Sequence, residues 1–270
     1  MGAMREISRF IRFAYNGSPA YGLLTNDAVE ELKGPPFQSV EPTGRSFPLA
    51  AVTLLTPCEP SKVLAVGLNY ASHRRHVEKE EGIFVTVAGR PAPSDRPVVF
   101  AKFPTSLIPH EADIVFPVDA TNVHFEGELA LVIGKVAKGV SVADARSHVF
   151  GVTACNDLVD REWLLGDLQW FRAKGSDGFG PIGPAIVTGL DYGSLALETR
   201  VNGQVRQSSN TSELVFSPDV LLSYISQYVT LVPGDVVFTG TPGQTQQVRQ
   251  GDVIEVAIEH VGTLRNRVAG

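Results

Sequence analysis

The sequence predicts a β-rich α+β fold with a small N-terminal β domain, and three observations predict it. Apolar runs of strand length outnumber amphipathic helical stretches. The strands do not alternate regularly with helices, as a doubly wound sheet would require. The texture of the chain changes near Pro57, which separates an N-terminal β-rich piece (residues 1–57) from a core domain (residues 58–270).

Taken in order, Arg9 to Tyr15 and Tyr21 to Leu32 read as strands around the turn Asn16-Gly17-Ser18-Pro19, and Gly34-Pro35-Pro36 and Pro42-Thr43-Gly44 break the pattern. Lys62 to Gly67 is an apolar strand that ends in Gly67-Leu68-Asn69-Tyr70, and a short charged helix is expected from Ala71. Glu80 to Arg96, with Gly89, Pro91 and Pro93, reads as a mobile loop, and long loops in compact domains are more often functional than idle. Ser141 can cap a short helix through His148, Phe150 to Cys155 is strand-like and delivers Asn156-Asp157, and Asp160 to Trp170 is expected to be helical. Ser217-Pro218-Asp219 supplies a cap, a first-position proline and a first-turn acid; Val220, Leu221, Tyr224, Ile225 and Tyr228 form the apolar stripe that follows. Pro233-Gly234-Asp235 opens a strand that ends at Thr239-Gly240-Thr241-Pro242-Gly243.

Composition narrows the function classes. A hydrophobic content of 43% with 19% charged residues is that of an ordinary globular chain. The net charge of −6, with no Lys/Arg cluster, argues against nucleic-acid binding. No apolar run reaches the length of a membrane span, and no signal peptide is visible. Met1-Gly2-Ala3-Met4 has the look of an expression scar ahead of a start at Met4. Cys58 and Cys155 form neither a disulfide framework nor a CxxC site, so a reducing cytoplasm is the expected compartment. No G-x-G-x-x-G follows a strand, which argues against a dehydrogenase.

The most informative stretch is His124-Phe125-Glu126-Gly127-Glu128, followed by the apolar run Leu129 to Ile133. Side chains at i, i+2 and i+4 of a strand share a face, so His124, Glu126 and Glu128 are expected to project together. Neighbouring carboxylates repel unless a proton or a cation sits between them, and a hard divalent cation such as Mg²⁺ or Mn²⁺ prefers oxygen ligands. On spacing alone, a solvated strand end is the alternative.

Six motifs in order carry a resemblance. They are Gly67-Leu68-Asn69-Tyr70 followed by His73, the H-F-E-G-E-L strand, Thr153 to Asp157, Lys174 to Pro184, Asn202-Gly203, and the closing T-G-T-P-G. Together, over roughly residues 60 to 265, they resemble the fumarylacetoacetate hydrolase family. The resemblance implies a mixed β-sandwich roll core, a homodimer, and action on small 2-oxo acids and 1,3-dicarbonyls with Mg²⁺ or Mn²⁺. It implies Glu126, Glu128 and Asp157 as metal ligands; three carboxylates suit an octahedral hard cation with positions left for substrate. It places Lys174 beside metal and substrate oxygens, and Lys102 and Ser106 on a loop that lines the site. Thr241, in its tight turn, can offer its hydroxyl to a substrate carboxylate. Asp177 is expected to orient the loop after Lys174, Asn202-Gly203 to form a hairpin turn, and Arg161 and Trp163 to support the site or simply pack.

The chain departs from the family pattern at one place. Hydrolytic members carry H-x-x-E, whose His–Glu pair activates water; here His73 is followed by His76. On a helix the two imidazoles share a face, but His76 is a poorer partner than a carboxylate for keeping His73 basic. Glu78, Glu80 or Glu81 can fold in to replace the missing acid. The leading expectation is metal-dependent hydrolysis of a C–C bond in an acylpyruvate-like 2-oxo acid, with His73 and His76 serving the water and Lys174 the enolate oxygen. Decarboxylation of an oxaloacetate-like acid, or isomerisation or hydration at the same site, needs less of the missing Glu. From another class, a non-catalytic family member would keep fold and metal site alone.

Overall fold

The computed structural model describes residues 6–80, 86–87, 90–91 and 95–270. Two sheets carry the molecule. The strands of the larger are β1 (Ser8–Tyr15), β2 (Ser18–Thr25), β3 (Ala28–Leu32), β4 (Pro42–Pro48), β5 (Val63–Gly67), β6 (Val98–Lys102), β7 (Gly127–Ile133), β8 (Val149–Asn156), β9 (Gly180–Thr188) and, later in the chain, β12 (Val236–Phe238). The smaller takes β10 (Ala196–Val201), β11 (Gln204–Asn210), β13 (Val253–Ile258) and β14 (Gly262–Val268). The larger sheet runs β4-β3-β2-β1-β9-β8-β7-β12-β5-β6; in the smaller, β14-β13-β10-β11 is edged by Asp113–Ile114. This is the expected β-rich α+β fold.

β7 is buried at every residue, which explains its unbroken apolar run. Leu129, Leu131 and Ile133 pack with Leu197, Val256 and Leu264 of the smaller sheet, under Leu222 and Ile225 of a helix. Ala130 and Val132, on the other face, pack with Val63, Cys155, Ile182 and Phe238. Both cysteines are free and buried.

The N-terminal strands are not a separate sheet. β1 pairs antiparallel with β9, Phe10 opposite Ile186, so they extend the sheet of the core. Asn16 and Gly17, both at positive φ, make the tight turn into β2. Asn26, at φ +54°, makes a second turn, so the strand expected over 21–32 is a hairpin of β2 and β3. Pro42-Thr43-Gly44, expected to break the pattern, instead opens β4, which runs from Pro42 to Pro48. It lies at the edge of the sheet, where a proline costs no ladder bond.

The described residues include five α-helices. They are α1 (Ala71–Glu80), α2 (Val142–Ala145), α3 (Arg161–Gly166), α4 (Phe171–Gly175) and α5 (Pro218–Tyr228). Ser141 caps α2 and Ser217 caps α5, each accepting a backbone N–H three residues on. The turn after α2, Arg146–His148, tightens to 3₁₀. The buried face of α5 is Leu221, Leu222 and Ile225, whereas Tyr228 is 71% exposed, so the stripe is rotated from the expected one. Asp160 caps α3, but the helix expected through Trp170 ends at Gly166. Asp167 is drawn aside by Arg172, whose Nε donates to it at 2.7 Å, and α4 restarts beyond the bend. Most of the loop expected over 80–96 lies outside the described residues. Among the described residues no helix is long and apolar enough to cross a membrane.

Candidate active site

The site forms where β7 starts and its antiparallel partner β8 ends. Gly127 pairs with Asn156 and Glu128 with Cys155. One rung further out, the Asp157 N–H donates to the Glu126 carbonyl at 2.8 Å, and the Glu126 N–H donates to the Asn156 side chain at 2.9 Å. The register therefore brings Glu126, Glu128 and Asp157 together. A carboxylate oxygen from each lies within 4.8 Å of the others, and all three residues are buried.

Two glycines let the surrounding chains come this close. A Cβ on Gly127 would sit 2.0 Å from Thr199 Oγ1 of the smaller sheet. Gly240, at φ +106°, would place one 2.6 Å from Asn69 Cβ; its N–H donates to Glu128 Oε2 at 2.7 Å. Asn69 fixes that turn, donating to the Thr239 carbonyl at 2.8 Å and accepting from Phe216 N–H at 2.9 Å.

Lysines face the carboxylates from the other side. On α4, Lys174 Nζ donates to Glu126 Oε2 at 2.6 Å and to Asp157 Oδ2 at 2.8 Å. Lys102, at the end of β6, lies 2.8 Å from Asp157 Oδ1 and donates to the Lys174 carbonyl. Burial alone would raise the Asp157 carboxyl, but the two lysines outweigh it and hold it below its ordinary range. Burial, then the charges of Asp157 and Glu126, push Glu128 well above the carboxylate range. Burial likewise raises Glu126 against the pull of Lys174. Three carboxylates face two ammonium groups, and the raised pKa of Glu128 marks it as the surplus carboxylate, one that a proton or a cation must neutralise. An all-oxygen donor set with a surplus carboxylate fits a hard divalent cation.

His73, on α1, is 5% exposed. Its Nδ1 donates to the Gly243 carbonyl at 2.7 Å. Burial, and then the nearby cations Arg161 and Lys174, lower its pKa to about 4. The ring is therefore neutral at pH 7, and Nε2 carries the lone pair. His76 stands one turn further along, close enough to depress His73 further. Glu81 lies outside the described residues, as do the side chains of Glu78 and Glu80.

These groups line a cavity of about 540 Å³, which His73, Glu126, Glu128, Arg161, Lys174 and Thr241 all reach. Arg161 is buried at the first position of α3, a placement that the sequence left open between support and packing. Trp163 is buried, with the Arg172 guanidinium 4.5 Å over its ring. Thr241 Oγ1 donates to the Gly127 carbonyl at 3.0 Å.

Several expected residues stand elsewhere. His124 does not join the carboxylates. The ladder is broken at Phe125-Glu126, Phe125 turns into a separate apolar cluster, and His124 pairs with Val159 in a short ribbon. Its ring nitrogens meet Thr245 Oγ1 at 3.1 Å and Asn122 Oδ1 at 3.0 Å. Ser106 is buried but off the cavity lining, its hydroxyl donated to the Phe103 carbonyl at 2.7 Å. Lys102 reaches the carboxylates from beneath the cavity rather than lining it. Asp177 is exposed; the loop it was expected to orient is held by Ser176 Oγ, which donates to the Arg172 carbonyl. Asn202-Gly203 is the expected hairpin turn, both residues at positive φ. Gln207 went unrecognised in the sequence. Its amide donates to Thr241 Oγ1 at 2.9 Å and to the Pro242 carbonyl, and accepts from Gly127 N–H, tying the closing turn to the start of β7. A lone Gln in a polar strand gives no signal of such a role.

Comparison with known proteins places this geometry. The profile of the family Fumarylacetoacetate (FAA) hydrolase C-terminal matches residues 62–269, and that of Rv2993c-like, N-terminal matches residues 8–57. The chain is 38% identical over 235 residues to the oxaloacetate tautomerase FAHD2A, mitochondrial, of Bos taurus, covering 82% of this chain and 71% of that protein. The solved structure of 5-carboxymethyl-2-hydroxymuconate delta-isomerase from Mycobacterium smegmatis superposes with a TM-score of 0.87 at 42% identity, covering 97% and 99% of the two chains. Maleylpyruvate hydrolase from Sphingobium sp. SYK-6, in complex with manganese(II) and pyruvate, gives 0.76 at 27% identity, covering 97% and 98%. The chain belongs to the fumarylacetoacetate hydrolase family.

Proposed function

We propose that this protein is a divalent-metal-dependent enzyme that enolises 2-oxo acids, moving a proton between carbon and oxygen as a tautomerase or isomerase. Glu126, Glu128 and Asp157 would hold Mg²⁺ or Mn²⁺. When bound, the cation supplies Lewis acidity toward the substrate's 2-oxo group. Arg161 anchors a substrate carboxylate in the cavity. Lys174 supplies fixed positive charge at the floor of the site, its three N–H groups donated to Glu126 Oε2, the Asp157 carbonyl and Asp157 Oδ2, and Lys102 holds Lys174 and Asp157 in place. His73 Nε2 takes the proton from the carbon next to the 2-oxo group and returns it to the product. The Gly243 carbonyl keeps the other ring nitrogen protonated and fixes that tautomer.

The observation that carries this reading is the partner of His73. Its Nδ1 bonds to a neutral carbonyl, and no described carboxylate bonds to the ring. A base of this kind is fully unprotonated at neutral pH but weak, which suits removal of an already acidified C–H better than activation of water. The tautomerase and isomerase relatives point the same way.

Hydrolysis of an acylpyruvate-like C–C bond is the second reading. The hydrolase relative supports it, and so does a cavity with room for water beside a substrate. Acetylpyruvate and oxaloacetate, each with Mg²⁺, Mn²⁺ or chelator, separate the readings. Enolisation predicts metal-dependent interconversion of keto and enol forms with the carbon skeleton intact. Acetate release would establish the hydrolase, and metal-dependent CO₂ release a decarboxylase. The reading includes a homodimer, which light scattering of the purified protein tests.

A further inference from the structure

The cavity has two chemically distinct ends. Its floor is charged, with Glu126, Glu128, Lys174 and Arg161. Its outer wall is apolar and begins directly against the floor. The Lys174 ammonium lies 5.3 Å from the centre of the Phe100 ring, and Phe100 meets Trp170 edge-on at 5.2 Å. Beyond Trp170 the lining runs out along the bend between α3 and α4 to Leu168 and Phe171, which are 93% and 69% exposed. Phe171 is braced edge-on by Phe103 at 5.6 Å.

Large side chains so exposed cost nothing if scattered. Here they continue the wall of a cavity whose other end is built for a carboxylate and an oxo group. A small dicarboxylate would fill the floor and leave this wall wet. Among the described residues, the acids and bases on the wall do not offer a second carboxylate site: Asp167 is committed to Arg172, and Arg172 is held between Asp167 and Asp119.

We infer that the substrate is a 2-oxo acid whose far end is an apolar chain or ring, lying along Phe100, Trp170, Leu168 and Phe171. The inference rests on the proposed function, because it takes the charged floor as the seat of the 2-oxo acid head.

Binding of N-alkyl oxamates tests it without turnover, since they carry the same carboxylate and carbonyl head. Calorimetry of the Mg²⁺-loaded protein with N-methyl, N-butyl, N-hexyl and N-benzyl oxamate should show the Kd falling about three- to fourfold for each methylene that reaches the wall. The double variant Leu168→Ser/Phe171→Ser, altered only at exposed positions, should flatten that slope. A Kd independent of chain length, or tighter binding of an oxamate ending in a carboxylate, overturns the inference and leaves the enolisation reading intact. Failure of every oxamate to bind to the Mg²⁺-loaded protein overturns both.

Discussion

Lys102 Nζ lies 2.8 Å from Asp157 Oδ1, with no exposed surface on the lysine side chain and 2% on the aspartate. The pair is buried beneath the cavity, and the same ammonium also bonds to the backbone of Lys174. Charges buried in this way cost more when one partner is lost than the pair contributes when intact. Lys102→Met should therefore destabilise the protein by about 3 kcal/mol in urea unfolding. That is the lower end of the usual range, because Lys174 still faces Asp157. A loss within 0.5 kcal/mol of zero would show that the pair is not dry in solution.

The lysines bond to Glu126 and Asp157 and leave Glu128, whose carboxyl is pushed well above its ordinary range by burial and by those two neighbours. Glu128→Gln should leave the metal-free protein at least as stable as the wild type, since it keeps the shape and the acceptor for the Gly240 N–H and removes an acid that burial disfavours in its charged form. It should also abolish stabilisation by Mg²⁺, which in the wild type reaches about 2.7 kcal/mol at a hundred times Kd. Thermal unfolding with and without Mg²⁺ reads both effects. Full Mg²⁺ stabilisation of the variant would remove Glu128 from the ligand set.

Gly127 is set by contact with Thr199. Gly127→Ala should displace Glu126 and Glu128 and weaken Mg²⁺ binding at least tenfold, with a loss of stability of about 1–3 kcal/mol from overpacking. Adding Thr199→Ala should recover most of both, because it deletes the colliding hydroxyl, which has no hydrogen-bond partner among the described residues. Absence of rescue in the double variant would show that the close approach is not what demands glycine.

The acidic strand was legible because it joins chemistry to a periodicity: two carboxylates spaced by two, feeding an apolar run long enough to be β7. Caps were legible for a similar reason, as Ser141 and Ser217 each act on a backbone N–H three residues away. His124 was misplaced because the same period of two assumes an unbroken ladder. Nothing local announces that the Asn156 side chain will take the Glu126 N–H and end the pairing. The union of β1 with β9 and the role of Gln207 depend on partners more than 30 residues distant, which no local pattern encodes. The second N-terminal turn rests on Asn26 at positive φ, and Asn26-Asp27 is a weaker turn signal than Asn16-Gly17.

The depressed pKa of His73 has a signed consequence. The folded value of about 4 lies below the ordinary histidine value of 6.5. The unfolded chain thus takes up a proton on this residue before the folded one does. The contribution of neutral His73 to stability is complete above pH 6.5 and is lost as the pH falls from 6.5 through 4, by about 3 kcal/mol in all. Urea unfolding of wild type and His73→Gln across that window should show their difference shrinking toward acid. A difference independent of pH would place the imidazole in water rather than against Gly243.

Exchange of the hydrogens next to the 2-oxo group for solvent deuterium, followed by NMR with a 2-oxo acid substrate, decides whether the site enolises its substrate. Exchange should require Mg²⁺ or Mn²⁺, stop with chelator, disappear in Glu126→Gln and fall at least a hundredfold in His73→Gln, within the range of a lost general base. Exchange that persists at wild-type rate in His73→Gln, or that proceeds without metal, would contradict the proposed function.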